Sequence, residues 1–448
     1  MSDDLKNVAK LTLQRAQRAG ARQAEVYLLT NRELTVNVRD GRADSVKQAD
    51  ARGLGLRVFL DGKAALVYTS DFRPEALTSL AERAVALARN APPDPANLIA
   101  PAGPLPAGNL DLHDPAVDAL TPDRAIAMAV AAEKAARGVD PRIKGTQFGG
   151  FQGGDGSTVL VNSNGVEREV RQTFVGLFVG VLAEDEGGKQ RDGSDGSAQR
   201  HLSMLRSPEE IGREAGARAI RMIGAKPVAT QKLPVLMHPD IASGWLQNMF
   251  GAFSGEQVFK KASYLADKLG QTVASSLVTI VDDPLRPRGP GCVPCDAEGV
   301  PTRKLVLLDR GTVKEFVYNL RWAAKAGKAS TGHATRPYTS SPGIGAHNLY
   351  IENGSMPVAD MIRSLDHGFY LTDTGAFGYD AATGGWSYAA SGLMIEKGAL
   401  AQPVTDVSLA SDTLTMLKGV KVVGNDLRFD GGTSAPHLLI EEMALSGT

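Results

Sequence analysis

Cysteine is nearly absent from this chain. Two residues in 448 are too few for a disulfide framework. Charge excess of either sign is missing as well. Lys+Arg 49 against Asp+Glu 50 leave a net charge of -1, without the basic domain that nucleic-acid binding usually requires. No run of about 18 apolar residues occurs, so no membrane-spanning helix is expected. The segment Met1-Ser2-Asp3-Asp4-Leu5-Lys6 lacks the basic and apolar regions of a signal peptide. These absences together lead to the expectation of a cytoplasmic protein.

Catalytic signatures are missing too. There is no G-x-S-x-G elbow for a serine hydrolase and no G-x-x-x-x-G-K-[ST] phosphate loop. Gly149-Gly150-Phe151-Gln152-Gly153-Gly154 is glycine-rich, but it lies among strand signals without a helix start to cradle phosphate. A helical zinc site needs two histidines about one turn apart and a carboxylate to activate water. Of the seven histidines none is followed by Glu.

What is present is a core-forming composition, 43% hydrophobic and 22% charged, in a chain long enough for two or three domains. Residues 3–19 show helical spacing of Leu5, Val8, Ala9, Leu13 and Ala16, stopped by Gly20. The period then changes to two, with Asp40-Gly41 and Asp61-Gly62 as hairpin turns. A second helix is expected over 74–89. The seven prolines in residues 91–115 make that stretch a long loop. Thr121-Pro122 opens a third helix to about Arg137. Strands follow at 158–162 and 165–181, around Asn164-Gly165. Residues 184–197, rich in Gly, Asp and Ser, read as a mobile loop. Ser207 with Glu210 forms a capping box for a helix to about Ile223.

The segment 224–232 reads as a boundary between domains 1–224 and 225–448. Beyond it, short strands are expected at 233–237, 277–281, 304–308, 312–318, 348–351, 392–396 and 437–441, with helices near 240–253 and 358–365. Strands and helices are segregated rather than alternating, which indicates an α+β fold.

Few residues beyond the boundary could carry chemistry. Cys292-Val293-Pro294-Cys295 is a lone C-x-x-C without a second ligand pair or a thioredoxin-like pattern, and reads as two cysteines sharing a turn. His333, His347 and His367 are spaced 14 and 20 apart, which matches no compact ligand motif, and they read as structural histidines. Asp282-Asp283 before Pro284 reads as a turn cap.

Several motifs resemble the TldD/PmbA family (peptidase U62-like), metalloprotease subunits also described as modulators of DNA gyrase. They are Ala24-Glu25-Val26-Tyr27, Gly53-Leu54-Gly55-Leu56-Arg57-Val58, Lys261-Ala262-Ser263-Tyr264, Asp282-Asp283-Pro284, Asp296-Ala297-Glu298-Gly299, Ser330-Thr331-Gly332, Thr383-Gly384-Gly385-Trp386-Ser387 and Ser391-Gly392-Leu393-Met394. Their order along the chain carries the resemblance. Catalytic members have a His-Glu-x-x-x-His helix after the first strand of the second domain. The corresponding stretch here, His238-Pro239-Asp240-Ile241-Ala242 onward, keeps the helix signal without the ligands.

The resemblance therefore implies a PmbA (TldE)-type subunit. Such a chain would bind no metal cofactor itself and would pair with a TldD-like chain that carries zinc. Together they would enclose a chamber that degrades unfolded or extended peptides, such as leader peptides and antitoxins. Broad specificity suits strand addition through backbone hydrogen bonds. On this resemblance Thr383, Gly384, Ser387, Ser391 and Gly392 are expected near the shared cavity or interface, with ordinary turn chemistry as the alternative. Two other readings stay open. One is a homodimeric peptide-binding scaffold without a protease partner. The other is a self-contained metallopeptidase built on Cys292, Cys295 and His437.

Overall fold

A computed structural model describes residues 2–375 and 378–447. It is mixed α+β, with about 25% helix and 39% strand. Helix α1 (Ser2–Arg18) leads into β1 (Gln23–Arg39), β2 (Arg42–Leu60) and β3 (Lys63–Thr69). Helices α2 (Pro74–Asn90), α3 (Pro115–Asp118) and α4 (Pro122–Arg137) precede β4 (Ile143–Asn162), β5 (Glu167–Glu184) and β6 (Gln190–Gln199). The six strands form one antiparallel sheet in the order β3-β2-β1-β4-β5-β6. Both expected hairpin turns are present. Asp40 and Gly41 have φ of 52° and 74°, and Asp61 and Gly62 have 50° and 79°, the positive pair that two-residue hairpins need.

Side-chain alternation along β1 decides what covers the sheet. Ala24, Val26, Leu28, Leu34, Val36 and Val38 are buried on one face, under α1 and α2 at one end and α4 and α5 (Pro208–Arg221) at the other. Glu25 and Tyr27 lie on the opposite face, against residues from beyond position 290. The α5 N-cap is as expected, with Ser207 Oγ accepting the Glu210 N–H at 3.2 Å.

Two expectations are corrected here. Residues 190–199 are strand β6, not a mobile loop, and pair with β5 from Glu184↔Gln190 to Val175↔Gln199. The small, polar composition serves close packing rather than solvation. A Cβ on Gly193 would stand 2.2 Å from Ala219 N of α5, Asp195 pairs with Arg206 at 2.5 Å, and Ser197 Oγ reaches Asp430 at 2.9 Å. Likewise β4 starts at Ile143, so the Gly149–Gly154 stretch is strand interior. A Cβ on Gly154 would lie 1.9 Å from Arg32 O in β1, and glycine is what permits that approach.

In the later part of the chain, β7 (Gln231–Met237) sits between a parallel strand, His367–Thr374, and an antiparallel one, Leu438–Ser446. Strands Gly385–Glu396 and Ala399–Asp412 extend this sheet. The pairing of Ser408–Ala410 with Ala444–Ser446 closes five strands into a ring. A smaller sheet contains Ile280–Asp282, Leu305–Asp309, Thr312–Val313, Leu349–Ile351 and Thr433–Ser434. The strand expected over 312–318 shrinks to two residues, and the strands at 367–374 and 399–412 escaped the sequence reading. Helix α6 (Pro239–Phe250) packs Trp245, Leu246 and Met249 into the core between these sheets.

Candidate functional site

Helix α6 begins where β7 ends. His238 is its N-cap, with Pro239 in the first turn and Nδ1 accepting the Asp240 N–H at 3.2 Å. Burial, with Arg218 and His437 adding to it and Asp240 opposing, holds the imidazole pKa well below its ordinary value, so His238 is neutral at pH 7. Ala242 stands four residues on, and the inward face continues through Trp245, Leu246 and Met249. An apolar face of this kind offers no second imidazole and no carboxylate, so α6 does not fit a zinc ion.

A second histidine stands beside the first. The His238 and His437 rings are 5.4 Å apart, edge to face. His437 Nδ1 donates to Asp426 Oδ2 at 2.6 Å, and its Nε2 accepts the Tyr370 hydroxyl at 3.0 Å. The carboxylate fixes this tautomer, because it can only accept. Burial works against the Asp426 charge, but the hydrogen bonds from His437 outweigh it and keep the pKa below its ordinary value.

This group floors a cavity of about 600 Å³ between α5, α6 and the 426–437 segment. Arg218 on its wall pairs with Asp240 at 2.7 Å. Arg213 and Arg428 are exposed there, beside Glu210, Glu214 and Asp430, so the wall presents charge of both signs to whatever enters. A smaller cavity of about 120 Å³ adjoins His238 and is bordered by Arg221, Thr372, Ser391 and Thr405.

The residues singled out from the sequence fall in different places. Ser391 faces the smaller cavity, with its Oγ 3.3 Å from Thr405 Oγ1. Thr383 Oγ1 accepts the Gly385 N–H at 3.2 Å, and Gly384 has φ +79°, so both are engaged in a turn. Ser387 is exposed on the strand that follows. Gly392 is buried where a Cβ would stand 2.0 Å from Tyr370 O, which accounts for glycine by packing.

Cys292 and Cys295 are free, buried thiols, and burial pushes their pKa up to about 11 and about 12. Their segment is a tight turn. Arg200 donates to the carbonyls of Gly289, Pro290 and Cys292 at 3.1, 2.6 and 3.2 Å. Among the described residues neither cysteine joins His437 in a three-ligand group. His437 is held instead by Asp426 and Tyr370.

Sequence reasoning missed two clusters. Asp282, His333 and His347 converge, with the two rings 4.9 Å apart. His367 does not join them and bonds Gln231 at 2.8 Å. The second cluster is a seam of buried charge. Arg336 meets Glu25 at 2.5 Å, and Arg57 meets Glu25 at 3.3 Å and Glu298 at 3.5 Å. Glu298 also accepts the Leu320 N–H at 2.9 Å. Next to it, Asp296 accepts N–H bonds from Glu298, Val300 and Ala334. Burial and the neighbouring Glu298 nevertheless raise the Asp296 pKa, and burial raises that of Glu298. A signal for the seam existed: Glu25, Arg57 and Glu298 all sit inside recognisable short motifs. Nothing in one dimension said that those motifs touch.

Comparison with known proteins matches residues 24–88, 115–223 and 230–447 to domain 1, the central domain and the C-terminal domain of the PmbA/TldA metallopeptidases. The chain is 29% identical to metalloprotease PmbA of Escherichia coli O157:H7, covering 95% of this chain and 92% of that one. It is 27% identical to a metalloprotease of Methanothermobacter thermautotrophicus, covering 95% of each. A Bacteroides thetaiotaomicron crystal structure, described as a candidate modulator of DNA gyrase, superposes with a TM-score of 0.91 at 26% identity, covering 100% of this chain and 99% of that one. TldE of Thermococcus kodakarensis shares the fold, with a TM-score of 0.90 at 23% identity over 98% of this chain and 100% of that one.

Proposed function

Because the chain belongs to the PmbA/TldD metallopeptidase family, we propose that it is the partner subunit that shapes the chamber and binds peptide while a TldD-like chain holds the catalytic zinc. The observation that carries this reading is α6. By its sequence resemblance it stands where catalytic members are expected to carry the metal helix, and its buried residues include Ala242, Trp245 and Met249 rather than two imidazoles and a carboxylate. The substrates on this reading are unfolded or extended peptides, of the leader-peptide and antitoxin kind.

We take residues 1–224 and 225–448 as the two domains, with the His238–His437 cleft between them as the peptide-facing surface. Two features support this surface, and a third, away from the cleft, supports strand addition. Ser391, Thr405 and Arg218 border its smaller cavity, offering donors to a peptide backbone. Arg213 and Arg428 suit carboxylate groups. The outer side of β2 from Arg42 to Gly53 is not covered by β3, which pairs only with Leu54–Leu60, and an extended chain can add to such an edge.

The test is a peptidase assay on an unfolded peptide with three samples: this chain, a zinc-bearing TldD-like chain, and the two mixed. Cleavage is expected only in the mixture, and a chelator should abolish it. Chelator-sensitive cleavage by this chain alone would refute the reading.

A further inference from the structure

Asp282 ends a strand of the smaller sheet. Thr331–His333 and His347 reach it from two other segments. Asp282 and His333 have no solvent exposure, and one ring nitrogen of each histidine lies with an Asp282 oxygen in a group within 4.8 Å. Each imidazole has one nitrogen committed to a backbone carbonyl. His333 Nδ1 is 3.0 Å from Thr331 O, and His347 Nε2 is 2.8 Å from Gly332 O. A carbonyl only accepts, so His347 Nε2 carries its ring proton, and His333 Nδ1 has Thr331 O as an acceptor. Thr331 Oγ1 also lies 2.9 Å from His333 Nδ1. That hydroxyl accepts the Tyr318 N–H at 2.7 Å, and its single proton has Tyr318 O at 3.1 Å and His333 Nδ1 as acceptors.

The remaining nitrogen of a neutral imidazole is a lone pair. His333 Nε2 stands 2.9 Å from Asp282 Oδ2. A contact this short needs a proton or a metal ion between the two atoms. The His347 N–H steadies both Asp282 oxygens at 3.1 Å.

From this arrangement we propose that Asp282, His333 and His347 bind a divalent transition-metal ion of the zinc class, which ties three segments of the later half of the chain together. Two neutral imidazoles and one carboxylate suit such an ion. A backbone carbonyl beside the far nitrogen of each ring is the outer support that metal-bound histidines usually have. Zinc bonds of about 2.0–2.2 Å place ligands roughly 3.0–3.6 Å apart, so small side-chain rotations close the trio. A cavity of about 230 Å³ bordered by His347, Cys295 and Arg336 gives a water, as further ligand, a way in. None of the three residues belongs to α6, so the ion steadies this chain and is separate from peptide cleavage.

The test uses the full chain, stripped with a chelator and then titrated with zinc by calorimetry, with cobalt(II) as a visible-absorption probe. Expected are one ion per chain, cobalt d–d bands, and a Tm raised by about 3 °C at a hundredfold excess of free zinc over Kd. His347→Gln and Asp282→Asn should each abolish all three. Far-UV circular dichroism of the metal-free variants, unchanged from the parent, shows that loss of binding is not loss of fold. Failure to bind at low micromolar zinc would overturn the proposal and leave a proton-bridged His333–Asp282 pair. Stoichiometric binding that survives His347→Gln would overturn it equally, because the ion then sits elsewhere. None of these readouts is a peptidase assay, so a negative result leaves the partner-subunit reading standing.

Discussion

Replacing Arg336 with Met should be among the most damaging single changes to this chain that leaves its hydrophobic core intact. The Arg336 and Glu25 side chains are 1% and 0% exposed and lie 2.5 Å apart. The guanidinium also stacks on Tyr27, 4.5 Å from the ring centroid. Removing one partner of a buried ion pair costs about 3–5 kcal/mol, mostly for the charge left behind. Arg57 remains 3.3 Å from Glu25 and is partly solvated, which places the expected loss near the lower end, at about 3 kcal/mol. Glu25→Gln in the Arg336→Met background removes the stranded charge and should recover about 1–2 kcal/mol, a coupling within the range of contacting pairs. Urea unfolding followed by far-UV circular dichroism measures both. Each transition is fitted separately, because a chain of this size need not unfold in one step. A loss below about 1 kcal/mol for Arg336→Met, with no coupling to Glu25, would refute the argument that this seam is a paired-charge latch.

Further outcomes follow from the same geometry. The raised pKa values of Asp296 and Glu298 mean that the folded chain keeps protons which the unfolded chain releases above the ordinary carboxylate range. Their contribution is therefore complete in acid and is lost as pH rises through the raised values. Stability should fall from about pH 4 to about pH 8, and Asp296→Asn should flatten that fall. His238 has the opposite sign. Its depressed pKa means that the unfolded chain takes a proton the folded chain refuses, so stability should drop as pH falls below about 6.5, and less so in His238→Gln. With thiol pKa values near 11 and 12, Cys292 and Cys295 should resist iodoacetamide at pH 7 and react only after denaturation. Rapid native alkylation would contradict their burial. Gly193→Ala should cost about 2–3 kcal/mol by forcing β6 off α5, since its Cβ has no room. Gly244→Ala in α6, where nothing lies within 4 Å, should be neutral or stabilising by up to about 1 kcal/mol. Thermal unfolding of both variants checks the pair.

The local grammar of this protein was legible in its residues. Asp40-Gly41 and Asp61-Gly62 demand positive φ, so the hairpins of the first sheet were readable at once. Thr121-Pro122 and Ser207 cap helices within a few residues of themselves, so α4 and α5 could be placed almost to the residue. The missing His-Glu pair can likewise be read from the order of the residues, and it set the expectation that α6 holds no zinc.

What sequence could not show are the features that depend on who lies alongside. Residues 190–199 look like a solvated loop until β5 and α5 are beside them. Only then do Gly193 as a clearance and Asp195 and Ser197 as contacts to Arg206 and Asp430 make sense. Glu25 and Arg336 are 311 positions apart, and Asp282 and His333 are 51 apart. No spacing rule reaches that far, because a ligand set or a buried ion pair is defined by distance in space. The two consecutive carbonyls that meet His333 and His347, those of Thr331 and Gly332, come into place only when the chain has closed around them.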